Sequence, residues 1–425
     1  MIYKHWILSA LFLIAGKPAA QNLVIAKQGQ FTVGGETLQR EGTYDNSKFV
    51  GWATQEETGQ SYRGDHAFVE FQLPAEGHAL PLVYVHGYGG SGVCWQMTPD
   101  GREGFSTLML RRGWGSYVVD MPGRGRAGRT TATNQVKPVA DEMFWFDIWR
   151  MGIWPRFHED VQFPRDSASL SQFFRELTPD LSDHRHDLPA LSALADRIGD
   201  HVLVTHSAGG ITGWFAAIQN PQVKAVASYE PGGFLFPEGE VPARIDGLTG
   251  GVAGTPVPME QYKRLTQIPI VLYFGDYIPE TPSKNLGDEN WRVRLQMARK
   301  FVETLNRHGG HATLVELPGN RCGTASKAPG SREIGLEPLP KGRDARKWGL
   351  KPLPRGCAAC AEGWNLFQGA FPAGDGLKSS SKGRRRLEEV EKAVPRGCTR
   401  RRRCSLSQFF RELTPELSDH RYDLL

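Results

Sequence analysis

The stretch HVLVTHSAGGITGWFAAIQN, His201–Asn220, decides the fold. Val202, Leu203, Val204 and Thr205 form a short run of the residue types that fill a buried, pleated strand. A sharp turn is expected at Ser207. The small residues Ala208, Gly209 and Gly210 follow, then a helix-compatible run that Asn220-Pro221 closes. Strand, Ser in a tight turn, helix is the layout of a nucleophile elbow. The turn lifts the hydroxyl clear of the strand end, and the first N–H groups of the helix face a developing oxyanion. The elbow pattern has Gly two residues before the Ser; Thr205 stands there in this chain. Without context, the stretch also fits a Ser/Gly-rich strand-to-helix turn of no chemical consequence.

A second segment supplies that context. PLVYVHGYGGSG, residues 81–92, places His86-Gly87 directly after an apolar run. A His-Gly pair in that place matches the oxyanion loop of many lipases and esterases. Gly87 permits close approach, and the N–H groups of Tyr88 and Ala208 are the expected oxyanion donors. The alternative is that Gly89, Gly90 and Gly92 only make a flexible turn.

Further β-like runs occur at 30–33, 67–73, 82–85, 116–120, 202–205, 223–229, 270–274 and 312–317. From Leu82 onward they alternate with helix-compatible stretches, which predicts βαβ crossovers and a mainly parallel sheet. The first two alternate polar and apolar residues and suit an antiparallel edge. Arg292–Leu305 carries Val293, Met297, Phe301 and Leu305 at helical spacing. Residues 130–198 are too long for a simple crossover and are rich in Phe and Trp, including Trp145, Trp149, Trp154 and Phe173. They are expected to form a cap over the carboxyl ends of the strands, where open α/β sheets bind ligands.

Charge divides the chain. Residues 1–320 hold 29 of the 51 Lys+Arg and 34 of the 46 Asp+Glu, a net of about −5, and residues 321–425 hold the other 22 and 12, about +10. Of the six cysteines, Cys94 alone precedes residue 320, so the body is not built on disulfides. Cys357 and Cys360 form a single C-x-x-C with no second pair at zinc-ribbon spacing. At the N-terminus, Lys4 precedes an apolar run from Ile7 to Ala15, with small residues at Ala19-Ala20. This reads as a signal peptide over 1–20, too short for a membrane span, and predicts a secreted or periplasmic protein.

Residues 321–425 are rich in Gly, Pro, Arg and Ser, with basic runs at Arg384–Arg386 and Arg400–Arg403, a composition expected to stay disordered. Within this tail, Ser405–Leu424 repeats Ser169–Leu188 with two differences, Asp180/Glu416 and His186/Tyr422. So close a copy points to a recent duplication or a disrupted reading frame.

Acyl transfer by Ser needs a hydroxyl, a base, a group that orients the base, and oxyanion donors. Ser207 is the candidate nucleophile. Asp276, ending IPIVLYFGD, and Glu230, ending VKAVASYE, are both candidate acids at strand ends. The body of the chain, about residues 25–320, resembles secreted bacterial α/β-hydrolase esterases with a Ser-Glu-His triad. The matching segments are FTVGG (31–35), VHG (85–87), 98–128, the WR-G-P-F segment (149–157) with VQFP (161–164), HSAGG (206–210), YEPGG (229–233) and FGD (274–276). The resemblance implies an α/β-hydrolase domain over 21–320, with a mainly parallel sheet flanked by helices and an aromatic-rich cap insertion. It implies Ser207 as nucleophile and Glu230, in preference to Asp276, as acid. The base implied is a His in a Gly-Asn-x-His context. Here the chain reads Gly319-Asn320-Arg321-Cys322, with Cys where His is expected.

No other His fits the vacancy. His308 and His311 precede the last strand-like run and fall about 20 Å from the catalytic edge, six residues at about 3.3 Å each. His206 adjoins Ser207, but neighbouring strand residues point to opposite faces. His86 belongs to the oxyanion loop, and His420 to the copied tail. The unperturbed Cys322 thiol titrates at about 8.5 and offers no second nitrogen for the acid to orient.

The sequence therefore predicts a serine hydrolase of carboxylic esters, impaired by the loss of its base. A catalytically inactive ligand-binding protein of the same fold is one alternative. A tail-mediated binder of anionic partners is another. The mechanism implies no metal or organic cofactor, since side chains and water suffice. The expected partner is a small-molecule ester; no nucleic acid and no stable membrane span are expected, and no oligomeric state is assigned.

Overall fold

Leu82–Val85 is apolar at every position, as is most of Val202–Thr205, and this is how strands buried on both faces read. The computed structural model describes residues 22–45, 56–132, 136–159, 161–248, 250–275 and 278–317. Its main sheet has eight strands: β1 (Ile25–Asp45), β2 (Glu56–Pro74), β3 (Leu82–Val85), β4 (Ser116–Asp120), β5 (His201–His206), β6 (Val223–Tyr229), β7 (Pro269–Gly275) and β8 (His311–Leu317). Their spatial order is β1-β2-β4-β3-β5-β6-β7-β8. All pairs from β4 to β8 are parallel, and β1 and β2 add an antiparallel edge. Each strand contains one of the eight β-like runs. Residues 1–20, read above as a signal peptide, the basic segment 321–425 and the copy at 405–424 lie outside the described residues.

Side-chain alternation splits the strands between two cores. Val83, Val85, Leu203, Val226, Leu272 and Phe274 face one side. Leu82, Tyr84, Val202, Val204, Tyr229 and Tyr273 face the other. The second side is covered by α1 (Val93–Gln96) and α2 (Phe105–Arg111), through Trp95, Phe105 and Met109. The first side takes the larger helices.

Between β4 and β5 the chain forms α3 (Glu142–Ile148), α4 (Ser167–Glu176) and α5 (Asp187–Ile198). The last of these packs on β1 and β2 and belongs to the layer flanking the sheet. After β5 come α6 (Ala208–Gln219), α7 (Met259–Leu265) and α8 (Leu286–Arg307). The Asn285 side chain caps α8 by accepting the Asp288 N–H at 3.0 Å. The helical spacing read at 292–305 lies within α8. Trp291 on its first turns donates to Ile148 O at 2.9 Å, tying α8 to α3 of the insertion.

Phe301 of α8 is fully buried, with ring centroids 5.1 Å from Trp214, 5.6 Å from Phe234 and 6.0 Å from Phe236. Truncating it leaves a cavity that rigid neighbours cannot refill. Phe301→Ala is expected to cost about 3–5 kcal/mol, read as a lower denaturation midpoint. A loss under about 1 kcal/mol would show that this core collapses around the gap.

Candidate active site

Register brings the site together. Val85 lies opposite Thr205, His206 opposite Tyr229, Tyr229 opposite Tyr273, and Gly275 opposite Leu317. His86, Ser207 and Glu230 each follow the end of a parallel strand, so all three leave the sheet at one edge.

Ser207 has φ 49° and ψ −116°, a left-handed conformation costly for a residue with a side chain. Three backbone bonds hold it there. Its N–H donates to Tyr229 O at 3.0 Å, and its carbonyl accepts from Gly210 at 2.9 Å and Gly232 at 2.7 Å. The side chain is half-buried and makes no capping bond to α6. Gly87 lies directly against it: a Cβ there would meet Ser207 Cβ at 2.8 Å. Only glycine lets the 87–90 loop come this close.

Thr205, in the place of the elbow glycine, is accommodated by two neighbours. Its hydroxyl bonds the Ser228 hydroxyl at 2.7 Å across the sheet. Its methyl faces Gly213 of α6, where any Cβ would sit 2.7 Å away. The small residue that the elbow needs has moved from the strand to the helix.

The loop after β3 is fixed from both sides. His86 Nδ1 donates to Gly87 O at 2.8 Å and Nε2 accepts the Met121 N–H at 3.1 Å, so both ring nitrogens are engaged in structure. Thr178 donates its N–H to Gly89 O at 2.8 Å and its hydroxyl to Gly90 O at 2.9 Å. The Tyr88 ring stacks on Trp145 and lies under the Arg124 guanidinium. A cleft opens beside this loop, lined by Tyr88, Trp149, Phe173, Glu176, Leu177 and His206.

Glu230 also has positive φ, 43°, and its N–H donates to Tyr273 O at 2.8 Å. Its carboxylate is buried. Oε1 accepts from Arg150 Nη2 at 2.7 Å and from the Gly275 N–H at 3.0 Å. Oε2 is buried with no hydrogen-bond partner among the described residues. Asp276 lies outside the described residues, but the N–H just before it serves Glu230. Cys322 is likewise outside them.

The histidines fall as their sequence positions require. His311 pairs in register with Pro269 at the amino end of β8, and His308 bonds Glu240. His206 is buried, stacked on Trp149 with centroids 5.1 Å apart. Among the described residues, no His is hydrogen-bonded to Ser207 or Glu230. Burial pushes the His206 ring down to about 4, against the pull of Glu230. It likewise pushes His86 down to about 4, against its bond to Gly87.

With this geometry in place, comparison decides the family. The alpha/beta hydrolase family model matches residues 82–322, more than half of the 425 residues. The chain belongs to the alpha/beta hydrolase family. It is similar to a solved novel bacterial esterase, with 27% identity, a TM-score of 0.55, and coverage of 73% of this chain and 91% of that one. It is also similar to a probable secreted lipase, phiG, of Fungal sp. (strain ATCC 74256), 29% identical over 195 residues. That match covers 42% of this chain and 52% of the relative, so the chain spans about half the length of that curated relative.

Arg150 was not singled out by sequence reasoning. It lies in the WR-G-P-F segment, and only its fully buried contact with Glu230 exposes its importance to this hydrolase fold. No periodicity marks a pair 80 residues apart.

Two measurements test the site's construction. Gly213→Ala is expected to destabilise by about 1–3 kcal/mol through overpacking against Thr205. A double-mutant cycle with Thr205→Ala is expected to return a coupling of about 1 kcal/mol or more, and strict additivity would remove the contact. For pH, His86 and His206 titrate near 6.5 when unfolded and about 4 when folded. The unfolded chain binds more protons between those values, so stability falls as pH falls through that window. His206→Phe keeps the stack with Trp149 and removes one titration. Its unfolding midpoint is expected to decline less steeply from pH 6.5 to 4; an unchanged slope would refute the assignment to His206.

Proposed function

We propose that this chain is a secreted serine hydrolase of the esterase type, acting on carboxylic esters with apolar acyl or aryl groups. The carrying observation is the strained Ser207 at the head of α6, beside a buried Glu230 with one carboxylate oxygen committed and one bare. Ser207 Oγ attacks the ester carbonyl, and the N–H groups of Tyr88 and Ala208 receive the oxyanion. Glu230 orients the base, and Arg150 holds Glu230. The aromatic lining of Trp149 and Phe173 suits an apolar substrate. Family membership and the likeness to a bacterial esterase support the chemistry. The leader-like N-terminus and the likeness to a probable secreted lipase support export.

Cys322 replaces the base. Loss of one triad member in serine hydrolases costs about 10⁴ to 10⁶ in turnover, so the chain as written hydrolyses esters very weakly. This substitution also favours a second reading, a ligand-binding protein that has left hydrolysis behind. The two part on one experiment with p-nitrophenyl esters. Cys322→His is expected to raise turnover at least about 100-fold, and Ser207→Ala in that background to abolish the gain. No gain from Cys322→His would overturn the hydrolase reading in favour of the binder. An unsubstituted chain already turning over at about 1–10³ per second would overturn the impairment.

A further inference from the structure

We propose that Glu36, Asp65 and His186 form a binding site for a divalent transition-metal ion, Zn²⁺ above all, which staples the edge hairpin of the sheet to α5. The inference is independent of the hydrolase reading and uses none of the residues at the catalytic edge.

The three side chains come from three places in the fold. Glu36 lies on β1 opposite Gly64 of β2, and Asp65 is the next residue of β2. His186 stands at the head of α5. Folding brings one ligand atom of each within 4.8 Å of the other two. His186 Nε2 lies 3.5 Å from Glu36 Oε1 and 3.8 Å from Asp65 Oδ2. Two ligand atoms, each about 2.1 Å from a tetrahedral Zn²⁺, stand about 3.4 Å apart. The observed separations exceed that by about 0.1 and 0.4 Å, a closure that side-chain torsions supply. Two carboxylates and an imidazole suit Zn²⁺ and leave a fourth position for water, whereas Ca²⁺ and Mg²⁺ call for more oxygen ligands.

Asp65 is already held as a ligand would be. Thr130 Oγ1 donates to its Oδ1 at 2.7 Å, the Thr131 N–H donates to the same oxygen at 3.0 Å, and the Thr131 hydroxyl donates to Oδ2. Three donors favour the ionised carboxylate and fix its direction, as outer partners do for metal ligands. Asp65 and His186 are buried and Glu36 is exposed, so an ion enters from the Glu36 side.

A second observation is that a cation stands among these groups. Arg185 Nε lies 2.8 Å from His186 Nε2, and its Nη2 lies 3.2 Å from Thr131 Oγ1 and 3.8 Å from Glu36 Oε2. A guanidinium only donates, so Nε2 is the bare nitrogen of a neutral imidazole, the form that binds a metal. The Arg185 side chain is 52% exposed and also meets Asp183 at 3.2 Å. It can swing out to that partner and leave its place to an ion. Zn²⁺ in that place neutralises both carboxylates. The positive end of α5 works against a cation here, and the two anionic ligands outweigh it.

The test titrates Zn²⁺ into the full, chelator-treated chain, read by calorimetry and by the unfolding midpoint. The chains compared are unsubstituted, Glu36→Gln, His186→Ala, Arg185→Ala and the pair Cys357→Ser/Cys360→Ser. The unsubstituted chain is expected to bind Zn²⁺ saturably and to unfold at a higher temperature as Zn²⁺ rises, since an ion held only by the folded form stabilises it. Loss of an outer partner alone weakens metal sites about 10- to 100-fold, so His186→Ala, which removes a ligand, is expected to weaken binding by about 100-fold or more. Glu36→Gln is expected to weaken it as well; that side chain is exposed, so this variant carries the test should His186→Ala fail to fold. Arg185→Ala is expected to bind more tightly, because the competing cation is gone. The cysteine pair is expected to bind like the unsubstituted chain. No saturable binding, undiminished binding in Glu36→Gln, weaker binding in Arg185→Ala, or loss of binding with the cysteine pair would each overturn the site.

Discussion

The parallel ladder from β3 through β5, β6 and β7 to β8 is the constraint on which the site depends. It fixes which residue of each strand is last. Because Val85 pairs with Thr205 and His206 with Tyr229, the next residues along each strand emerge side by side. A slip of one residue in any pair would turn every side chain of that strand to the other core. The two cores are filled by different helices and tolerate no such exchange, so packing deep in the sheet sets the positions of Ser207 and Glu230 at its edge. The strain at both residues is borne by backbone bonds to adjoining strands and turns.

A second dependence runs through Arg150. A guanidinium removed wholly from water carries a desolvation cost of several kcal/mol, which only a close, hydrogen-bonded partner offsets. Glu230 is that partner at 2.7 Å. The Arg150 guanidinium also lies over the Trp291 ring, 5.3 Å from its centroid. One residue of the insertion therefore touches both the sheet edge and α8.

Much of this was legible in the sequence, for physical reasons. Strands buried on both faces read as continuous apolar runs, and each of the eight runs lies within a strand. The sharp strand-to-helix turn at Ser207 was legible because a β-rich run gives way there to Ser and three small residues; its chemical reading needed the context of residues 81–92. The edge hairpin was underread: alternation marked only 30–33 and 67–73, whereas β1 and β2 extend through 25–45 and 56–74. Their outer parts lack the alternation that a covered face would impose. Thr205 looked like a defect in the motif, because its compensation lies at Gly213 and Ser228, on other elements. The choice between Glu230 and Asp276 lay beyond local pattern, since both end apolar runs; resemblance favoured Glu230. Arg150 was invisible for the same reason, since ion pairing across 80 residues leaves no periodic trace.

The adjoining pair Trp149-Arg150 has a consequence for motion. Trp149 stacks on His206 and Arg150 neutralises Glu230, so this part of the insertion cannot lift without stranding a buried charge at the sheet edge. Opening of that kind belongs with the costliest local fluctuations. The segment is anchored at two adjoining residues. The cleft beside it, between Tyr88 and Leu177, takes Trp149 as one wall, so that wall is held as firmly as the buried ion pair next to it.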